Sequence, residues 1–380
     1  MKSVLLTFCL CAIALIPGNA QNLIKGFEFT PDESFTTLDE NIEVYQLYRI
    51  DINKEDIQIE GSSSIVVLDL DGRIFNMNLY EDNITTSVEY QNRPHLLGGS
   101  LNTGGIVTLT INDDYINGYI RTGDNYIYIE NLRNIEKGVT DNLYVVYNAN
   151  DVIETGEHIC GVQLTESKTN EYQNKMMPTT MCKLIDFAIA NTYDMVTAEG
   201  SVTNVINHNL AVLNNVQTNY RSEFNANLEF DVVAHFVPAT SGADPFPSTT
   251  NASTLLSFFD GWGDGGGNTS CSPCGFGVNY NQASLWTDRD ITFNGNSGTV
   301  GLAQTPGWHH VLENYTSSAA SLQAMVSHEK GHNYAALHDP SGSNFIMAPS
   351  VTITPNWSTS SVNAINGRVS RQGYLSNCST

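Results

Sequence analysis

The stretch VSHEKGHNYAALHDPSG, residues 326–342, constrains the fold more than any other part of the chain. It carries three histidines, His328, His332 and His338, with Glu329 directly after the first. Residues four apart on a helix share a face, so His328 and His332 point the same way if this stretch is helical. This is the His-Glu-x-x-His pattern of a zinc site with its general base. The helix must then end soon after His332, because a third ligand has to turn back to the same metal.

The third ligand follows from what the sequence offers downstream. A catalytic zinc needs three protein ligands and one open position. No glutamate follows Glu329 in the sequence, which leaves only His338 and Asp339 among acids and imidazoles. His338 has the spacing of the metzincin pattern His-Glu-x-x-His-x-x-Gly-x-x-His, except that Ala335 stands where the pattern has glycine. An alanine with positive φ costs about 1 kcal/mol, so the exact turn geometry is the open point.

The motif HEKGHNYAALHD resembles the zinc site of reprolysin-type metalloproteases, the adamalysin and ADAM family, in which an aspartate follows the third histidine. SNFIMAPS is similar to the Met-turn of that family, which implies that Met347 lies beneath the metal. SLWTDRDI followed by GTVGLAQ resembles the edge strand that precedes the active-site helix, and the last residues resemble the terminal helix and closing cysteine. The resemblance covers about residues 182–378 and, more weakly, the first half, which is similar to reprolysin propeptides.

The sequence pattern divides the chain into four segments. Residues 1–20 read as a signal peptide, with a basic start, an apolar run and a small-residue end. Residues 21–150 alternate as β-strands do, with turns expected at Asp71-Gly72, at Gly118 and at Gly123-Asp124. Residues 151–177 are polar and lack periodicity, which predicts a linker. From 178 to 380 strands alternate with helices, which indicates an α/β domain.

Together, pattern and resemblance imply one fold class. We expect an α/β (α+β) metzincin catalytic domain with a mixed, mostly parallel twisted sheet and an active-site helix. A β-rich prodomain precedes it.

Five cysteines remain after the predicted signal peptide, which leaves one without a disulfide partner. HICGVQ, residues 158–163, resembles the cysteine switch of reprolysin propeptides. The resemblance implies that Cys160 fills the open zinc position and keeps a zymogen silent. The alternative is that Cys160 is a disulfide partner. If it is not, the other four can pair in three ways, of which we favour Cys271–Cys274 and Cys182–Cys378.

Charge and hydropathy limit the partners. The net charge is −23, from 40 acidic and 17 basic residues, which disfavours nucleic acid and anionic membranes as partners. The leading apolar run is too short to span a bilayer and no later segment approaches that length, so we expect a secreted, extracellular protein without a transmembrane anchor. The oligomeric state stays open.

Two weaker signals lie outside the zinc motif. Asp260 and Asp264 could bind calcium, but their spacing fits no EF-hand loop and a glycine-rich loop is the stronger interpretation. His309 and His310 are adjacent and cannot share a helix face, so surface or packing roles are expected.

The sequence therefore predicts a secreted zinc-dependent endopeptidase made as a zymogen and acting on protein or peptide substrates. Glu329 would be the general base, and the strand GTVGLAQ would hold an extended substrate by backbone pairing. One alternative is a catalytically silent, metalloprotease-like extracellular binding protein. The only feature that supports it is Ala335 in the position where the motif has glycine. Another is a purely structural zinc domain, which would need a fourth ligand nearby.

Overall fold

The computed structural model describes residues 22–30, 42–52, 54–84, 88–90, 92–135, 142–153, 158–162, 182–224, 228–265 and 274–378. The predicted signal peptide and most of the predicted linker lie outside these residues. The division into signal peptide, prodomain, linker and catalytic domain therefore stays a prediction.

Sixteen strands and six helices lie in the described part of the chain. The strands are β1 Asn22–Glu28, β2 Tyr45–Ile50, β3 Ser64–Leu70, β4 Arg73–Glu81, β5 His95–Leu101, β6 Ile106–Asn112, β7 Tyr115–Thr122, β8 Asn125–Asn131, β9 Leu143–Asn148, β10 Ile159–Cys160, β11 Lys183–Asn191, β12 Leu228–Phe236, β13 Gln282–Thr287, β14 Thr299–Ala303, β15 His309–Glu313 and β16 Ser376–Asn377. The helices are α1 Leu132–Ile135, α2 Tyr193–Glu199, α3 Val202–Glu223, α4 Ala252–Gly263, α5 Ala319–Asn333 and α6 Thr359–Arg371.

The first nine strands form a closed barrel in the order β1-β2-β9-β8-β7-β6-β5-β4-β3. Neighbours are antiparallel except at the closure, where β1 runs parallel to β3. Alternation explains the barrel wall: along β6, Val107, Leu109 and Ile111 enter the barrel core while Thr108 and Thr110 face outward. The predicted turn at Asp71-Gly72 is confirmed, and both residues have positive φ between β3 and β4.

The predicted turn at Gly118 is wrong. Gly118 lies inside β7 and pairs with Leu109 on one side and Ile129 on the other. A Cβ atom there would come within 3.0 Å of Leu109 and 3.3 Å of Ile129, so the glycine provides room inside the barrel. The turn before β7 instead lies at Asp113 and Asp114, with φ of 53° at Asp114. An aspartate tolerates this left-handed conformation better than most residues do.

The second sheet follows the order β10-β14-β15-β13-β11-β12, and β16 pairs with β11. The pairs of β11 with β12 and β13, of β13 with β15 and of β10 with β14 are parallel, whereas β14 pairs antiparallel with β15. Helices α3 and α5 contribute to one apolar core with the sheet, and the hydroxyl of Tyr220 on α3 donates to the carbonyl of Ser327 on α5 at 3.2 Å. This contact ties the two long helices together.

The predicted fold class is wrong for this chain. The described residues hold a closed nine-stranded barrel of mixed direction beside the second sheet, with few helices, and this is not the classic metzincin α/β fold. The barrel closes through β1 and β3, which are more than thirty residues apart. Local periodicity records which residues are buried, but it does not record which distant strand supplies the partner backbone. The sequence pattern therefore gave strands without their arrangement.

Covalent and membrane features complete the fold. Cys182 and Cys378 form a disulfide across 196 positions, and β16 beside it pairs with β11. Cys274 is also disulfide-bonded, and Cys271, its predicted partner, lies outside the described residues. Cys160 is free and buried, so the disulfide alternative for it is wrong. Among the described helices, none is both long and apolar enough to cross a bilayer.

Candidate metal centre

Helix α5 carries the His-Glu-x-x-His motif, as predicted. Ser318 caps the helix, its side chain accepting from the backbone N–H of Ser321, and the helix ends at Asn333. His328 and His332 lie one turn apart on the same face, with ring centroids 4.7 Å apart. Every residue of α5 is buried, so this helix runs through the core rather than along its surface.

A left-handed turn returns the chain to the metal face of α5. Ala335 has a φ of 70°, which is the conformation that glycine favours. The backbone N–H of Ala335 donates to His332 at 2.8 Å and that of Ala336 donates to Gly331 at 3.0 Å, which closes the helix end. His338 follows, and its Nε2 lies 3.1 Å from Nε2 of His332. The chain thus makes the turn with alanine in the position where the motif has glycine.

Two of the imidazoles are fixed by backbone carbonyls. Nδ1 of His328 lies 2.7 Å from the carbonyl oxygen of Ile346, and Nδ1 of His332 lies 2.8 Å from that of Ala336. Since a carbonyl can only accept, Nδ1 carries the proton in both rings and Nε2 presents a lone pair. Nε2 of His328 is buried without a hydrogen-bond partner in the described structure. Such a lone pair is costly unless a cation takes it.

Cys160 joins this group from β10, the short edge strand that pairs with β14. Its Sγ and one nitrogen from each of the three histidines all lie within 4.8 Å of one another. The segment is held as an added strand, because Ile159 N–H donates to Gly298 at 2.8 Å and Gly161 N–H donates to Gly301 at 2.8 Å.

The other side of the segment is also paired. Cys160 N–H donates to the Pro349 carbonyl at 3.0 Å, and Val351 N–H donates to the His158 carbonyl at 2.8 Å. Residues 158–161 therefore lie between β14 and the chain at 349–351, with hydrogen bonds on both edges. Gly161 suits this place because a Cβ atom would come within about 3.1 Å of both Leu302 and Phe293.

Glu329 lies beside Cys160 and the three histidines. It is 1% exposed, and burial raises its pKa to about 8, while a hydrogen bond with Cys160 acts in the opposite direction. A Cβ atom on Gly301 would overlap with the Glu329 carboxylate, so the glycine gives that carboxylate its place against β14. Burial likewise raises the pKa of the Cys160 thiol well above its ordinary value. A cation among these groups would reverse both shifts, since it favours the thiolate and the carboxylate.

The imidazoles are neutral at physiological pH, as metal ligands must be. Burial lowers the pKa of His328 to about 3 and that of His338 to about 4. Burial also lowers the pKa of His332 well below its ordinary value, and the neighbouring imidazoles add to this effect. Three neutral imidazoles and one thiol, buried and convergent, form a group that could hold a metal ion.

Met347 packs against helix α5, and its expected place beneath a metal stays a prediction. It is fully buried, and a Cβ atom on Gly331 would come within 2.7 Å of its Sδ and 3.1 Å of the Trp357 ring. Gly331 therefore lets α5 pack closely on the chain segment that also supplies the Ile346 carbonyl to His328. Asp339 points elsewhere: its carboxylate accepts from Ser361 Oγ at 3.4 Å.

The weaker signals have packing roles. His309 and His310 are both buried; His310 Nδ1 lies 2.7 Å from Asn333 Oδ1 at the end of α5. The Asp260 carboxylate lies 2.7 Å from His309 Nδ1 and accepts from Gln304. Asp264 accepts from the Tyr280 hydroxyl at 3.4 Å. These contacts engage both carboxylates with protein donors and give the calcium hypothesis no support.

Sequence reasoning missed several residues that shape the centre. Gly301 and Gly161 act through the space they leave, and only the packed backbone reveals that. Glu130 on β8 is buried and accepts from the Ala319 N–H at 2.9 Å, at the first turn of α5. A lone glutamate in an alternating strand gives no signal of such a contact. Lys330 is also fully buried, with Nζ 3.3 Å from the centroid of Phe187.

Comparison with solved structures shows a structural likeness. The chain is similar to metalloproteinase-II from Bacteroides fragilis, with 12% sequence identity and a TM-score of 0.48 over 81% of this chain and 92% of that one. No protein-family model matches the chain, and no curated protein matches it. These findings do not place the chain in the reprolysin family.

Proposed function

We propose that this protein is a secreted zinc-dependent endopeptidase made as a zymogen, with Cys160 as the group that silences it. The observation that carries the proposal is the convergence of Cys160 with His328, His332 and His338 beside a buried glutamate. Three imidazoles and one sulfur are a ligand set that zinc accepts. His328, His332 and His338 would be the permanent ligands and Cys160 the removable one.

Glu329 is the group suited to move protons. When zinc is bound it would polarise the scissile carbonyl and lower the pKa of a nearby water. The Glu329 carboxylate accepts the proton of the attacking water and passes it to the leaving amine. Its fixed place against Gly301 holds the carboxylate beside the histidines instead of leaving it free in solvent. Met347 supports the helix from below.

The place occupied by Cys160 is suited to an extended peptide. Residues 158–161 form backbone hydrogen bonds to Gly298 and Gly301 on one side and to Pro349 and Val351 on the other. A substrate that adds a strand to β14 would use the same donors and acceptors. The cysteine segment therefore excludes substrate in two ways, by filling the cleft and by occupying the metal.

A structural metal centre is the second candidate, and the closed set of four ligands favours it. Structural zinc sites have four protein ligands and no open position. Two features favour the enzyme instead. A buried glutamate lies beside the four side chains, and Cys160 comes from the two-residue strand β10 and not from the helix or the turn after it. The two candidates predict different metal content and different peptide hydrolysis once the Cys160 thiol is removed.

The test compares four proteins: wild type and Cys160→Ala, each uncut and each cut within residues 163–181 at an introduced protease site. Metal content and hydrolysis of a peptide library are measured on all four. We expect wild type to be nearly inactive when uncut, and Cys160→Ala to keep its metal and hydrolyse peptides without cutting. Loss of metal from Cys160→Ala would instead identify a structural centre. If the metal-loaded proteins hydrolyse no peptide, whether cut or uncut, the proposed peptidase activity is wrong.

A further inference from the structure

The buried side chain of Asn333 fixes the end of helix α5. Asn333 is the last residue of the helix, follows His332 directly and is fully buried. Its Nδ2 donates to the carbonyl oxygens of Gln304 and His309, each at 3.0 Å, and its Oδ1 lies 2.7 Å from Nδ1 of His310. Because both carbonyls can only accept, the amide nitrogen faces them and the amide oxygen accepts from His310. The side chain therefore anchors α5 to β15 and to the turn that precedes β15.

The turn between β14 and β15 is folded around one glutamine side chain. Gln304 Oε1 accepts from the backbone N–H of Trp308 at 3.0 Å and from that of His309 at 3.3 Å. A Cβ atom on Gly307 would overlap with the Gln304 side chain, so glycine lets the turn close tightly. The Gly307 N–H in turn donates to the carbonyl oxygen of Asn333 at 3.3 Å. The Gln304 side chain therefore determines the shape of the turn that holds Asn333.

Gln304 also connects this turn to helix α4. Its Nε2 donates to Oδ1 of Asp260 at 2.9 Å, and the same oxygen lies 2.7 Å from Nδ1 of His309. Asp260 lies in the last turn of α4, and its side chain is 45% exposed. Gln304 and His309 are also the two residues whose carbonyl oxygens bind the Asn333 amide. A carboxylate at the surface is thus linked to the end of α5 through one residue on each of two paths.

The His309 ring lies in a closely packed part of the core. It is 1% exposed, its Nε2 lies 2.7 Å from the Tyr280 hydroxyl, and it meets the Phe259 ring edge to face with centroids 5.2 Å apart. Close-packed interiors pass strain on to their neighbours. Loss of the Asp260 carboxylate should therefore shift the His309 backbone, whose carbonyl oxygen binds Asn333.

The end of α5 sets the positions of two of the three histidines. His332 directly precedes Asn333, and its Nδ1 lies 2.8 Å from the carbonyl oxygen of Ala336, just beyond the helix. The turn that begins at this end brings His338 Nε2 to 3.1 Å from His332 Nε2. A shift of Asn333 would therefore change the distance and angle between these two imidazoles. Outer contacts that orient metal-binding side chains typically change metal affinity by about 10–100-fold.

We propose that Asp260, Gln304 and Asn333 form a positioning relay, through which the end of α4 sets the geometry of His332 and His338 and hence the metal affinity of the centre. The three side chains are positioning residues, since they act through the backbone of the turn and of α5. The relay rests on the proposed metal centre, but it is measured by metal binding and does not require hydrolysis. Its outer member, Asp260, is partly exposed, so it can be replaced without opening a cavity in the core.

The test measures the zinc affinity of the full-length protein by competition with a chelator. Asp260→Ala should weaken zinc binding by at least about 5-fold, and Gln304→Met, which keeps the length of the side chain without its amide, should do the same. Asp264→Ala is the matched control. It removes the same charge just beyond the same end of α4, but the contact of Asp264 is with the Tyr280 hydroxyl at 3.4 Å. The control should bind zinc as the wild type does.

A purely structural role is separated by urea unfolding without zinc and at one saturating free zinc concentration. The relay predicts a smaller zinc-induced gain in the unfolding free energy, and a 5-fold loss of affinity lowers that gain by about 1 kcal/mol. Two results would overturn the relay and leave the metal centre in place: equal loss of stability with and without zinc, or a zinc affinity equal to that of Asp264→Ala. A wild-type protein that binds no zinc would overturn both. If Asp260→Ala does not fold, Gln304→Met decides.

Discussion

At the scale of single residues, Glu329 and Ala335 each combine an unusual environment with a specific role. Glu329 is a carboxylate buried beside four metal-binding groups, with a pKa raised by burial to about 8. Ala335 holds a backbone conformation that favours glycine, with φ of 70°. Both can be tested by changes that leave the metal ligands in place.

Glu329→Gln should retain the metal but lose hydrolysis. The amide keeps the shape of the carboxylate and cannot accept the proton of the attacking water, so the loss should be about 10²–10⁴-fold. The measurement is peptide turnover in the Cys160→Ala background, with metal content determined on the same sample. Turnover equal to that of Cys160→Ala alone would remove Glu329 from the mechanism.

Ala335→Gly should stabilise the protein by up to about 1 kcal/mol, because glycine adopts a left-handed turn without the Cβ penalty. Ala336→Gly is the matched control, since Ala336 is equally buried but does not have positive φ. That change should destabilise by about 0.4–1 kcal/mol through the greater entropy of the unfolded chain. Urea unfolding of both variants checks the sign. A destabilised Ala335→Gly would show that the turn carries no strain.

At the scale of elements, α5 depends on close contact with the segment that contains Met347. Gly331 allows this contact, because a Cβ atom there would come within 2.7 Å of Met347 Sδ and 3.1 Å of Trp357. The same segment supplies the Ile346 carbonyl that orients His328. One short stretch of chain therefore both packs against the helix, through Met347, and orients the His328 ring, through the Ile346 carbonyl.

Gly331→Ala should destabilise the protein although alanine is the better helix former. Overpacking a filled core costs about 1–3 kcal/mol, against a propensity gain of about 1 kcal/mol. We also expect weaker metal binding, because displacement of Met347 moves the Ile346 carbonyl. Gly373→Ala, where nothing lies within 4 Å of a new Cβ, is the matched control for unfolding and metal titration. Equal behaviour of the two variants would contradict the packing argument.

At the scale of the whole molecule, the barrel reaches the helix that carries His328 and His332. Glu130 on β8 accepts from the Ala319 N–H at 2.9 Å and from the Tyr147 hydroxyl, which itself lies 3.4 Å from Ser318 Oγ. Burial raises the pKa of Glu130 to about 7 from its ordinary 4.5, while the two hydrogen bonds favour the charged form. A raised pKa means that the folded state binds the proton more tightly than the unfolded state.

The resulting stability is fully present below pH 4.5 and is lost as the pH rises through about 7. The difference amounts to at most about 3 kcal/mol. Glu130→Gln should remove this component, so the gap in unfolding free energy between wild type and variant should change between pH 5 and pH 8. Glu28→Gln, at an exposed glutamate, is the control. A gap for Glu130→Gln that does not change with pH would contradict the assignment.

The sequence by itself determined the local elements of the candidate centre. The helix predicted over residues 321–335, the one-turn spacing of His328 and His332, and the odd cysteine all follow from local spacing and counting; the structure places that helix at Ala319–Asn333. Periodicity reports which face of an element is buried, and helical geometry then fixes which side chains share that face.

Only the tertiary structure decided how these elements meet. It closes β1 on β3 into a barrel, places Gly118 inside β7, and seats Cys160 between β14 and residues 349–351. These outcomes depend on contacts between residues far apart in the chain, which no local pattern encodes. The space left at Gly301 exists only once β14 packs against α5, and the Glu130 contact exists only once the barrel packs against the start of α5.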